Sequence, residues 1–219
     1  QQLVALAVRY GLIILSDDVY ELLQWGEHRP RPLRWHALQA NAKGSVVSLG
    51  SWSKLLGPGL RLGWIESDKT LLSVFNAAGE LASGGAGCPL VEALVTSMMS
   101  DTAMVTHCDN LRMSLHRRAH LLAAAINAET VGSDVVVHPP DAGYFMWVKL
   151  MLNTNVFQTH CMREHRVSFL PGDRTVVTGS GDGRHFLRVC FAFLEEEELI
   201  EAGRRLGRAI REATGVCLT

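Results

Sequence analysis

Blocks of apolar residues separated by polar turns predict alternating helices and strands in the first half of the chain. The apolar side of residues 2–10 predicts a helix, which Gly11 ends. Residues 12–15 are apolar without interruption, which is typical of a strand buried on both faces of a parallel sheet. Further elements follow in turn, with strands at 45–49 and 60–65, and helices at about 69–81 and 90–99 separated by a glycine-rich turn at 84–87.

The pattern changes in the second half, after a long helix predicted over residues 101–128. The last helix opens at residues 194–198, a leucine followed by four glutamates, and ends rich in arginine, which suits the helix dipole. The remaining predicted elements are strands at 135–137, 143–148 and 186–191 and a helix near 155–164. The sequence therefore predicts an α/β domain over residues 1–105 and an α+β domain over residues 106–219.

Composition and charge narrow the function classes. The net charge of −1 gives no reason to expect binding to nucleic acid or to a membrane surface. No apolar run reaches the roughly 20 residues that a membrane-spanning helix needs. The five scattered cysteines indicate free thiols in a reducing compartment, so a cytoplasmic location is expected. The groups His107–Cys108 and His160–Cys161 with His165 lack tight zinc-type spacing, and we predict no metal site.

Two segments carry candidate chemistry. Lys54 follows the hydroxyls of Ser51 and Ser53 and precedes a Gly-Pro-Gly turn and Arg61, a combination suited to an amine beside a phosphate. Upstream, an acid and a phenol, Asp17 and Tyr20, follow the first apolar strand, where open α/β sheets bind ligands. Taken singly, Lys54 also fits a surface lysine, and Asp17 or Asp18 a turn or capping acid.

The lysine segment, Ser-x-Ser-Lys-x-x-x-Pro-Gly-x-Arg-x-Gly, resembles the signature of class I/II aminotransferases, which are pyridoxal 5′-phosphate (PLP) enzymes of fold type I. Three later segments are similar to further landmarks of that family and occur in its order. They lie at residues 140–147, 169–172 and 186–191. By this resemblance, residues 1–105 are the C-terminal part of the PLP-binding large domain and residues 106–219 the small C-terminal domain.

The resemblance also implies a role for each site residue. Lys54 would form the Schiff base with PLP and then act as the general base. Asp17 would pair with the pyridine nitrogen, and Tyr20 would donate to the ring oxygen. The phosphate would be held by Ser51, Ser53 and Arg61, and the substrate carboxylate by Arg188. For Arg188, a salt bridge at a strand edge is the alternative.

The implied activity is transfer of an amino group between an amino acid and a 2-oxo acid, with ping-pong kinetics. Large domains of this family begin well upstream of their Asp-x-x-Tyr strand, so the chain matches only the C-terminal half. We therefore expect a large exposed apolar surface and poor folding or aggregation of this piece alone, and a homodimer for the complete protein. Three alternatives keep the same residues: a PLP-dependent lyase, a PLP-sensing domain of a transcription regulator, and a catalytically silent truncated paralogue.

Overall fold

The computed structural model describes residues 1–42, 44–85, 87–99, 102–177 and 183–215. Cys217, Asp101 at the start of the predicted long helix, and Ala86 of the glycine-rich turn lie outside the described residues. The chain divides into two compact units, Gln1–Arg112 and Met113–Thr219. The functional domains proposed from the sequence, 1–105 and 106–219, remain a prediction.

Both units contain helices and strands. The helices are α1 Gln2–Tyr10, α2 Leu33–Gln39, α3 Lys69–Asn76, α4 Gly79–Ala82, α5 Pro89–Met99, α6 Ala103–Glu129, α7 Thr154–His160 and α8 Glu196–Thr214. The strands are β1 Ile14–Asp17, β2 Val46–Ser51, β3 Gly63–Glu66, β4 Phe145–Lys149, β5 Leu170–Pro171 and β6 Phe186–Cys190. None of the described helices combines the length and the apolar character that a membrane crossing requires.

A three-stranded sheet, in the order β1-β2-β3, organises the first unit. β1 and β2 are parallel, with Asp17 opposite Leu49, and β3 returns antiparallel, with Gly63 opposite Ser51. Gly11 ends α1 in a left-handed conformation (φ 62°), which glycine adopts without strain, so the chain can turn directly into β1. A small core of Val4, Ala37, Ala42 and Val46 packs α1 and α2 against the sheet.

The prediction that residues 12–15 are buried on both faces is wrong for this structure. Burial alternates along β1, and the side chain of Leu15 is 65% exposed. Leu12 and Ile13 are also exposed. Only the face of β1 that carries Ile14 packs on the core, and no described element covers the other face.

The second unit contains an antiparallel sheet in the order β4-β6-β5. The predicted strand at 135–137 is absent, because the backbone N–H and C=O of Val137 both bond to the Asn127 side chain, at 2.9 and 2.8 Å. The predicted helix near 155–164 is α7 followed by a π-helical turn, Cys161–His165. The acidic run does begin the last helix, and the Glu198 side chain accepts a hydrogen bond from the backbone N–H of the capping residue Glu195.

Other differences lie in the first unit. The hydrophobic periodicity did not predict α2. The third strand begins at Gly63 rather than at residue 60, and the helix predicted over residues 69–81 is divided into α3 and α4. The four cysteines of the described residues are free thiols: Cys88, Cys108, Cys161 and Cys190.

Candidate active site

The carboxyl ends of β1 and β2 form the edge at which the candidate residues of the first unit gather. Because the two strands are parallel, Asp17 at the end of β1 lies opposite Leu49, two residues before the end of β2. Tyr20 follows β1, and Ser51 is the last residue of β2. The sheet therefore brings the Asp-x-x-Tyr segment and the lysine segment to one edge.

Lys54 is held in a 3-10 turn, Trp52–Lys54, directly after β2. The Ser51 hydroxyl accepts a hydrogen bond from the Ser53 N–H at 3.1 Å and caps this turn. Trp52 is buried, and its ring lies 4.9 Å from the ring of Trp64 on β3. The Lys54 ammonium lies 5.9 Å from the centre of the Tyr20 ring. The amine and the phenol predicted to share a site are therefore neighbours.

The structure separates the two adjacent acids that follow β1. Asp18 accepts hydrogen bonds from Ser16, at 2.8 Å, and from Ser48, and its carboxylate lies 3.7 Å from the Arg34 guanidinium. Asp17 points to the opposite, exposed face of the strand and takes no part in this network of described side chains. Asp18 is thus a structural acid, and Asp17 is the one available to a ligand.

Arg34 on α2 is the centre of that network. It binds both carboxylate oxygens of Glu21, at 2.6 and 3.0 Å, and its Nε lies 2.8 Å from Glu66 on β3. Desolvation alone would lower the pKa of Arg34. The hydrogen bond and charge of Glu21, with the charges of Glu66 and Asp18, outweigh desolvation and raise this pKa. The network holds the segment from Asp18 to Glu21, which includes Tyr20, and no sequence pattern indicated it.

Arg61 lies on the far side of the Gly-Pro-Gly turn. The Trp52 N–H bonds to the Leu62 carbonyl at 3.0 Å, so Arg61 is brought beside the turn that carries Lys54. Its exposed guanidinium donates to the Pro58 carbonyl at 3.0 Å. Glycine is required at residue 63, two positions after Arg61, because a Cβ at residue 63 would lie 2.8 Å from the Gly50 carbonyl oxygen. The predicted phosphate-binding residues therefore lie within one connected segment, residues 51–61, and their role stays a prediction.

His107 is a neighbour of the site that sequence reasoning missed. Its Nε2 lies 2.7 Å from the carbonyl oxygen of Leu55, the residue after Lys54. A separation of 52 residues leaves no local pattern from which this contact could be recognised. The sequence alone suggests for His107 only a pairing with Cys108 as potential metal ligands.

Arg188 lies in the second unit, on the central strand β6. It is opposite Trp147 on β4 and Leu170 on β5, and its guanidinium carbon lies 4.1 Å from the centre of the Phe145 ring. Its Nε is buried without a hydrogen-bond partner, and among the described residues no carboxylate pairs with it. A stacked guanidinium with an unused buried donor is suited to binding a carboxylate from a ligand.

Known proteins match most of this chain. The family model for aminotransferase class I and II matches residues 1–206. The 2-aminoadipate transaminase of Thermus thermophilus is 28% identical over 96% of this chain and 52% of its own length. The mouse mitochondrial kynurenine/alpha-aminoadipate aminotransferase is 25% identical over 97% of the chain and 50% of its own length. An uncharacterized HTH-type transcriptional regulator from Escherichia coli is 29% identical over 96% of the chain and 43% of its own length.

Solved structures show the same fold. The alpha-aminoadipate aminotransferase LysN from Thermus thermophilus, complexed with N-(5′-phosphopyridoxyl)-L-leucine, superposes with a TM-score of 0.85 at 28% identity, covering 99% of this chain and 54% of that one. The predicted fold, part of PLP fold type I, is confirmed. The chain spans about half the length of the curated relatives it matches. It is a member of the class I and II aminotransferase family.

Proposed function

We propose that the protein is a PLP-dependent aminotransferase that moves an amino group between an amino acid and a 2-oxo acid. The observation that carries this proposal is the position of Lys54, whose ammonium lies 5.9 Å from the Tyr20 ring at the shared edge of β1 and β2. Membership of the aminotransferase family and the similarity to the Thermus thermophilus 2-aminoadipate transaminase support it.

The residues at this edge have the chemistry that PLP requires. Lys54 offers an amine for covalent attachment, Asp17 an exposed carboxylate for the pyridine nitrogen, and Tyr20 a phenol for the ring oxygen. The phosphate would be held by Ser51, Ser53 and Arg61. PLP, when bound, supplies an electron sink for the negative charge that develops at the substrate Cα.

The chain's own groups would position the substrate and move its proton. The Lys54 Nζ, once released from the cofactor, would take the proton from the Cα of the amino acid. Arg188 would bind the α-carboxylate, which gives its buried Nε the acceptor that the described residues do not supply. Two substrates would use this site in turn, so ping-pong kinetics are expected.

A second candidate function is a PLP-sensing domain in a transcription regulator. Its support is the similarity to HTH-type regulators of Escherichia coli and Bacillus subtilis, which are 29% and 24% identical to this chain. The site residues are the same for both functions, so amino transfer to a 2-oxo acid is the discriminating measurement. For the whole protein we further propose a homodimer, from the family resemblance, and a cytoplasmic location, which the free thiols favour.

The test is covalent trapping of the cofactor on full-length protein that carries this sequence. After addition of PLP, a visible absorbance band should form, and borohydride reduction should fix the cofactor on Lys54 in peptide mass mapping. The variant K54R keeps the charge but should give neither the band nor the adduct. A folded wild-type protein with no adduct on Lys54 would refute the proposal. An adduct without amino transfer from any amino acid would favour the regulator.

A further inference from the structure

A cluster of metal-ligating side chains lies in the second unit and has no part in the proposed reaction. It consists of His160, the last residue of α7, His165, the last residue of the π-helical turn, and Glu212 near the end of α8. One potential ligand atom from each residue lies within 4.8 Å of the others. The His165 Nε2 and a Glu212 carboxylate oxygen are 3.1 Å apart.

The π-helical turn explains why the two histidines meet. In an α-helix, residues five apart differ by about 140° around the axis, so their side chains diverge. The wider π-turn, with i→i+5 bonding, brings such residues closer to one face, and these rare turns are frequent at functional sites. The ring centres of His160 and His165 are 5.3 Å apart. Two histidines with four residues between them do not predict a metal site by themselves, and the third ligand, Glu212, is 47 residues from His165 and carries no local signal.

The position of Glu212 also favours a cation. It lies in the last turn of α8, where the negative end of the helix dipole opposes a carboxylate and favours positive charge. The neighbouring Arg211 lies 2.9 Å from Glu129 of α6 and is paired with that carboxylate rather than with Glu212. His165 is only 11% exposed, which holds its ring in place beside Glu212.

We propose that His160, His165 and Glu212 bind a divalent transition-metal ion and so join the π-helical turn to α8. Two imidazoles and one carboxylate, with a further position open to water, form a ligand set that suits Zn²⁺. Ligand atoms of a tetrahedral zinc site lie about 3.3–3.5 Å apart, given metal–ligand bonds of about 2.0–2.1 Å. The 3.1 Å separation of the His165 and Glu212 ligand atoms is close to this spacing. Small side-chain rotations would bring the His160 ligand atom to a similar distance from both.

The test is competitive titration of metal-stripped, full-length protein with Zn²⁺ against a chromophoric chelator. Wild type should bind one Zn²⁺ per chain. The variants H160A, H165A and E212Q should each bind Zn²⁺ at least about 10-fold more weakly, since loss of even an outer-shell partner costs 10–100-fold in metal affinity. The matched control is H120A. It disrupts a second histidine pair, His116 and His120 on α6, whose rings are 4.6 Å apart, and it should leave this affinity unchanged.

A melting experiment provides a second readout that does not depend on activity. Zn²⁺ should raise the Tm of wild type and H120A but not of H160A or E212Q, because a ligand stabilises only the state that binds it. These two variants also carry the test if H165A, at the least exposed ligand, does not fold. The proposal is overturned if wild type binds no Zn²⁺ at micromolar free metal. It is equally overturned if H120A, and not the three ligand variants, loses the ion; the contact between His165 and Glu212 would then be a hydrogen bond only.

Discussion

At the residue scale, two adjacent acids with the same chemistry have different environments because successive strand residues face opposite sides. Asp18 shares its face with Ser16 and is bonded to Ser16 and Ser48. Asp17 shares its face with Leu15 and is exposed. The Asp-x-x-Tyr resemblance predicts Asp17 as the cofactor ligand, and Asp18 already accepts hydrogen bonds from protein donors.

This difference predicts opposite outcomes for two matched substitutions in full-length protein. D17N should weaken PLP binding about 10- to 100-fold, the equivalent of a charge-assisted hydrogen bond of about 1.5–3 kcal/mol, and leave apoprotein stability unchanged. D18N should instead lower the free energy of unfolding by about 1–3 kcal/mol, because it removes an acceptor from Ser16 and Ser48. Cofactor titration and urea unfolding measure the two effects. If D17N unfolds the protein while D18N alone loses PLP, the assignment is reversed.

At the element scale, α8 packs closely on α6 through two glycines one turn apart. A Cβ on Gly203 would lie 2.8 Å from the Ala125 Cβ, and one on Gly207 would lie 2.6 Å from the Glu129 Cβ and 2.8 Å from the Ile126 carbonyl oxygen. Arg211, the next residue in this series, bonds to Glu129. The missing side chains let the two helix backbones approach, so these glycines are packing residues despite their low helix propensity.

We therefore expect G207A to destabilise the protein, although alanine is the better helix former. The propensity gain is about 1 kcal/mol, and the clash with the α6 backbone should outweigh it, with a net loss of about 1–3 kcal/mol. The matched control is G79A in α4, where nothing lies within 4 Å of the added Cβ. Urea denaturation should show G79A neutral or slightly more stable. A stabilised G207A would show that α6 and α8 are not in close contact at this point.

Local patterns predicted the elements that local physics controls. Gly11 after an amphipathic stretch predicted the end of α1, and the acidic run predicted the start of α8, because caps and dipole effects act within one turn. The predicted strand at 135–137 is wrong because Asn127, ten residues before Val137, forms hydrogen bonds with both backbone groups of Val137. Likewise, the contacts of His107 with Leu55 and of Glu212 with His165 join distant segments and leave no periodic signal.

At the scale of the whole molecule, the first unit has an apolar surface that no described residue covers. β1 is at the edge of its sheet within the described residues, and Leu12, Ile13 and Leu15 beside it are exposed. Helix α1, which packs on the opposite face of the sheet, also carries exposed apolar residues: Leu3, Leu6, Val8 and Tyr10. An unpaired strand edge combined with an apolar face favours association with other chains.

The 219-residue chain on its own is therefore expected to associate and to bind an apolar dye. L15K should weaken self-association about 10- to 100-fold, because burying a leucine contributes about 1.5–3 kcal/mol and lysine on an edge strand opposes pairing. F193K is the control: it makes the same charge change at a residue of the second unit that is 86% exposed, and it should leave association unchanged. Sedimentation velocity at several concentrations measures both. A monomeric wild-type chain with a cooperative melt and no dye binding would show that the face of β1 tolerates water, and the exposed leucines would then not drive association.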